Sequence, residues 1–108
     1  MTSTTARSSE ALWAELWTSL GSLLRSYTAA HGLHLKREAA FELTEEKILV
    51  RHGKKWLRLI RNQAILTWTR ENGSMGTLEL TESGTLRSAT HEEAMDLAAE
   101  SWAREIMQ

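Results

Sequence analysis

At 108 residues, with 42% apolar and 25% charged side chains, the chain is long enough for one hydrophobic core and too short for two, and its Leu, Ile and Trp content excludes a disordered chain. The absence of cysteine excludes disulfides, thiolate metal sites and thiol catalysis, and no apolar stretch approaches the roughly 20 residues of a membrane-spanning helix. The net charge of −1 conceals a polarity: seven basic and no acidic residues lie between Lys47 and Arg70, whereas Glu92, Glu93, Asp96, Glu100 and Glu105 face only Arg104 beyond His91.

Residues 1–8 are rich in Ser and Thr and lack the apolar run of a secretory signal. They read as a flexible tail on a single domain over 9–108, with the cytoplasm as the default location. From Ser9 to His31 the residues Leu12, Leu16, Leu20, Leu23 and Tyr27 recur at three- and four-residue steps, with Trp13, Trp17 and Leu24 widening the stripe, which predicts an amphipathic helix. Gly32 stands where a left-handed C-terminal cap ends such a helix, and Gly21 inside it reads as a point of close packing.

The period then changes to two. Gly53-Lys54 suits a two-residue hairpin turn with glycine first, which sets Val50 opposite Leu57 and Ile48 opposite Leu59. A turn at Asn62-Gln63 sets Leu59 opposite Leu66 and Leu57 opposite Trp68. A loop with Gly73 in the left-handed region pairs Trp68 with Leu78 and Leu66 with Leu80. Upstream, a turn at Glu45-Glu46 pairs Leu43 with Ile48 and Phe41 with Val50, adding a first strand near Ala39 to Thr44. The five strands share one apolar face, and Thr85 to Arg87 adds a sixth with Leu86 opposite Leu80. Thr90 and Glu93 have the spacing of a capping box, predicting a helix from His91 to Met107 with Met95, Ala98, Ala99, Trp102 and Ile106 on its apolar side.

One apolar sheet face and two apolar helix stripes are most simply satisfied in an α+β, two-layer fold: N-terminal helix, antiparallel meander of five or six strands, C-terminal helix, both helices on one face. This order of elements resembles the frataxin fold and, less closely, the small dimeric chaperones of bacterial secretion systems. The resemblance is one of layout. Frataxin-like proteins bind iron on an acidic ridge of the first helix, whereas here that helix carries only Glu10 and Glu15 as acids, so the likeness implies neither iron nor any other cofactor.

The outward face of the meander then holds Leu49, Arg51, Trp56, Arg58, Ile60 and Ile65, beside Lys47 and several threonines. An apolar group rimmed by arginine is the composition of an interface centre, so the leading expectation is a non-enzymatic interaction module that self-associates or binds a protein through this face. The alternative is nucleic-acid binding by the basic meander over 47–70, with Trp56 as a stacking platform. A second alternative is an apolar ligand held among Trp13, Trp17, Trp68 and Trp102 between helices and sheet. For catalysis or metal binding the sequence offers only scattered carboxylates and His31, His34, His52 and His91. His31 and His34 are three residues apart, yet they lack a third ligand, and Gly32 between them is expected to end the helix, so neither a metal nor a catalytic site is assigned.

Overall fold

The computed structural model describes the backbone of residues 2–35 and 39–108, and the side chains of residues 10–33 and 39–108. Its elements run α1 (Thr2–Leu35), β1 (Ala40–Leu43), β2 (Lys47–His52), β3 (Lys55–Asn62), β4 (Ile65–Arg70), β5 (Met75–Leu80), β6 (Thr85–Arg87), β7 (Glu92–Ala94) and α2 (Met95–Met107). The seven strands form one antiparallel sheet in the order β1-β2-β3-β4-β5-β6-β7. Both helices cover one face, giving the expected α+β two-layer fold with one strand more than the sequence suggested. None of the helices is long and apolar enough to cross a membrane, among the described residues.

The core is the apolar side of the meander closed by the two helix stripes. Ile48, Val50, Leu57, Leu59, Leu66, Leu80 and Leu86 meet Trp17, Leu20 and Leu24 of α1 and Met95, Ala98, Ala99, Trp102 and Ile106 of α2, all buried. Each large side chain in that set contributes about 1.5–3 kcal/mol by leaving water. Two contacts fix α1 against the sheet edge. The Trp17 indole Nε1 donates to the Thr44 carbonyl at 2.8 Å. A Cβ added at Gly21 would stand 2.9 Å from both terminal carbons of Leu43, so this glycine is the site of close packing that its place in the helix implied.

α1 extends past both expected ends, 9 and 31, and passes through Gly32, which is buried inside the helix and does not cap it. Glycine at a helix end permits a left-handed cap without compelling one. At about 1.5 Å per residue, α1 accounts for the 51 Å long axis of the molecule.

The hairpins β1–β2 and β2–β3 have the expected registers, with Phe41 opposite Val50, Leu43 opposite Ile48, Ile48 opposite Leu59 and Val50 opposite Leu57. Gly53 takes φ +61 at the first turn position. Two registers differ from expectation, each by two residues. In β3–β4 the turn is Gln63-Ala64, which places Leu59 opposite Trp68 and Leu57 opposite Arg70. Gln63 adopts φ 56, a conformation such turns normally give to glycine, and the missing glycine hid the turn. Replacing Gln63 with glycine is expected to raise stability by about 0.5–1 kcal/mol, after the larger unfolded-state entropy of glycine is subtracted, as chemical denaturation will measure.

In β4–β5 the loop is Glu71-Asn72-Gly73, with Gly73 at φ +88 as expected. It closes on a bond from Arg70 N–H to the Ser74 carbonyl. That closure puts Leu66 opposite Leu78 and Trp68 opposite Gly76, in place of the Trp68–Leu78 and Leu66–Leu80 pairs. Because each shift is two residues, no side chain changes face. β6 pairs Leu86 with Leu80 as expected.

The capping box at Thr90 and Glu93 is not formed. Ser88 instead closes a hairpin, its Oγ accepting from His91 N–H at 3.1 Å while Ser88 N–H donates to the His91 carbonyl at 2.7 Å. Glu92–Ala94 then form β7, and α2 begins only at Met95, with Ala94 as an N-cap lacking any side-chain bond. Thr44 closes the β1–β2 turn in the same way, its Oγ1 accepting from Lys47 N–H at 2.9 Å. A hydroxyl two or three residues ahead of free N–H groups serves a turn as well as a helix start, and the two read alike in sequence.

Candidate functional site

Alternation along β2, β3, β4 and β5 sends Lys47, Leu49, Arg51, Trp56, Arg58, Ile60, Ile65, Thr67, Thr69, Met75 and Thr77 to the side away from both helices. Within that face Arg51 is directly opposite Trp56, and Leu49 is opposite Arg58. Ile60 faces Thr67 and Ile65 faces Asn62, so the two isoleucines are diagonal neighbours. The apolar group is thus looser than the expected register made it, with Leu49, Trp56 and Ile60 arranged around Arg58. Ile60 and Ile65 are 40% and 43% exposed, so no element among the described residues covers them. Met75, opposite Thr69 and 65% exposed, stands on the same face. Sequence reasoning passed over it, although it shares a parity with Thr77.

The charges on this face divide into two classes. Lys47 is neutralised by Glu42 at 2.9 Å, and Arg87 by two hydrogen bonds to Glu79, the residue opposite it. The Glu79 carboxylate holds the Arg87 pKa above its ordinary value. Arg51, Lys54 and Arg58 have no carboxylate partner among the described residues. The Arg58 guanidinium lies 5.8 Å from the centroid of the Trp56 ring, a cation–π distance. The Trp56 backbone N–H donates to Glu71 Oε1 at 3.0 Å, which anchors the strand end that carries the indole. The centre of the face is therefore a half-buried indole beside two guanidinium groups without a carboxylate partner among the described residues, with aliphatic side chains further along the strands.

Among the described residues no group of three His, Asp or Glu side chains converges as a metal site. His31 and Gly32 do lie in continuous helix, but the side chain of His34 is outside the described residues. His91 stands 3.8 Å from Glu93 at the β6–β7 turn. Trp17 and Trp102 belong to the buried core, and Trp13 and Trp68 pack against it, so all four are engaged in packing. A cleft of about 570 Å³ between α1 and the β1–β2 turn has a mixed lining of Glu10, Thr18, Thr44 and Arg61 with Trp17 and Leu43. Arg61 there is tied to the Glu45 and Gln63 carbonyls at 3.2 and 3.1 Å. No protein-family model, curated protein or solved structure matches the chain, so the frataxin-like order of elements is a likeness of layout and assigns no family.

Proposed function

We propose that this protein is a non-enzymatic interaction module that binds a protein surface through the open face of its sheet. The observation that supports it is the exposure of Ile60, Ile65 and Met75 on the face that carries Trp56, with Arg51 and Arg58, which have no carboxylate partner among the described residues, beside the indole. Tryptophan and arginine are the residue types that dominate interface centres, and the positive charge favours an acidic partner. Nucleic acid fits less well. The face has a single aromatic ring, Arg58 already stacks on it, and two of the surrounding cations are neutralised internally.

A photo-crosslinking amino acid at Ile60, with one at the exposed β5–β6 turn residue Glu82 as control, tests this in the producing cell. The expected result is a discrete protein adduct from Ile60 alone, lost when Trp56→Glu is added. A nuclease-sensitive adduct would transfer the face to nucleic acid. The absence of any adduct specific to Ile60 would overturn the reading.

A further inference from the structure

Parity sends Arg61 to the side of β3 that faces the helices, directly opposite Leu66, and its side chain is only 9% exposed. A charge on the core side of a sheet is costly unless hydrogen-bonding groups surround it. Two backbone carbonyls meet this one: Nε donates to Glu45 at 3.2 Å, and an Nη1 N–H donates to Gln63 at 3.1 Å. The second N–H of Nη1 and both of Nη2 have no hydrogen-bond acceptor among the described residues. The Glu10 carboxylate stands 3.7 Å from Nη1, close enough for attraction and too far for a hydrogen bond. Among the described residues no buried nitrogen lacks a partner, so Nη2 reaches solvent, and the cleft between α1 and the β1–β2 turn is the surface that Arg61 lines.

The cleft's volume of about 570 Å³ falls within the range of small-molecule sites, roughly 300–1,000 Å³. Its lining sets Arg61 against Glu10 and Glu45, and its apolar wall is Leu43 and Ala14, both exposed, with the buried Trp17. These charges select among small ligands. A simple carboxylate would answer Arg61 and meet the repulsion of Glu10 and Glu45. A simple amine would answer Glu10 and leave the Arg61 donors unmet. A zwitterion answers both, and the 3.7 Å between Arg61 and Glu10 suits a head group whose acid and ammonium are joined through a single carbon.

We propose that this cleft binds an α-amino acid with an aliphatic side chain, its carboxylate on the outer N–H groups of Arg61, its ammonium on Glu10 and its side chain against Leu43 and Ala14. The two carbonyls fix the guanidinium before a ligand arrives, so binding requires little further ordering of the residue that anchors it. Hydrogen bonds between a guanidinium and a carboxylate are charge-assisted and among the stronger ones a protein makes. The site lies on the helix side of the sheet and is independent of the open face.

Titration of the isotope-labelled chain with L-leucine, followed by nuclear magnetic resonance, tests the proposal, with isocaproate and isoamylamine as the analogues that lack the ammonium and the carboxylate. Leucine is expected to bind at one site, shifting the amides of Thr18, Leu43 and Thr44 and the Arg61 Nε–H, while each analogue binds at least about tenfold more weakly. Arg61→Met is expected to weaken leucine binding by roughly 10–100-fold, the loss of a charge-assisted hydrogen bond. Glu10→Gln is expected to weaken leucine and strengthen isocaproate, because it removes an attraction for the first and a repulsion for the second. Ala14→Leu, at an exposed position of α1, fills the cleft and is expected to abolish binding with unchanged circular dichroism. If Arg61→Met does not fold, the two helix variants decide. A native chain whose resonances stay in place up to the solubility limit of leucine overturns the proposal. So does either analogue binding as tightly as leucine, or a leucine affinity that neither Glu10→Gln nor Ala14→Leu changes.

Discussion

Replacing Gly76 with alanine is expected to destabilise the fold by about 2–3 kcal/mol, at the upper end of the cost of overpacking a close contact. A Cβ at this position would stand 2.6 Å from Cζ2 and 2.7 Å from Cε2 and Nε1 of Trp68, which lies across the glycine from the neighbouring strand. The indole has nowhere to retreat cheaply. The Arg70 guanidinium lies over the ring, 4.6 Å from its centroid, and Arg70 is bonded to Glu105 of α2 at 2.6 Å, so displacing the ring loosens the join between meander and C-terminal helix. Urea denaturation measures the loss. In a Trp68→Ala background the Gly76→Ala change should cost almost nothing, and a full cost there would show that the clash with the ring is not its cause.

Trp17→Ala is expected to cost more, about 3–5 kcal/mol, because it removes one of the two tryptophans of the core, the more deeply buried one, and leaves a cavity between α1 and the β1–β2 turn. Trp17→Phe separates packing from hydrogen bonding. It keeps most of the buried ring and loses the bond to the Thr44 carbonyl, for an expected cost of roughly 1–2 kcal/mol. Thermal melts of both variants give the comparison. Equal losses would mean that the hydrogen bond, and not the filled volume, holds the helix to the sheet edge.

Which face each strand residue occupies was legible in the sequence, and which residue it opposes was legible only where a turn announced itself. Face follows from parity, so Leu59 and Leu66 point inward and Ile60 and Ile65 outward under either register. Opposition depends on the turn residues. Gly53 marked its turn correctly, whereas Gln63 occupies a glycine conformation without being glycine. The Gly76–Trp68 contact shows the other gap. A pairing rule that seeks apolar partners favours Leu78 opposite the indole, yet a ring packed this close to the neighbouring strand requires the residue opposite it to have no side chain. At the C-terminal end, Ser88 and Thr90 present two hydroxyls ahead of acidic residues, and nothing local distinguishes a capped helix from a three-residue strand leading into one. The six residues expected on the open face all stand there, but the spacing among Ile60, Ile65 and Arg58 that shapes the candidate site needed the register.

The strictly consecutive strand order has a kinetic consequence. Every strand is bonded to its neighbours in the chain, so the sheet can grow hairpin by hairpin, each step closing a loop of two to four residues at little entropic cost. The long-range events are the docking of α1 and α2 on the finished meander and against each other, which bring segments from opposite ends of the sequence together. Folding should therefore be fast for a sheet protein, with a late barrier at the helix layer. Substitutions in the turns, such as Gly53→Ala, should slow refolding, while those at the α1–α2 contact should chiefly speed unfolding.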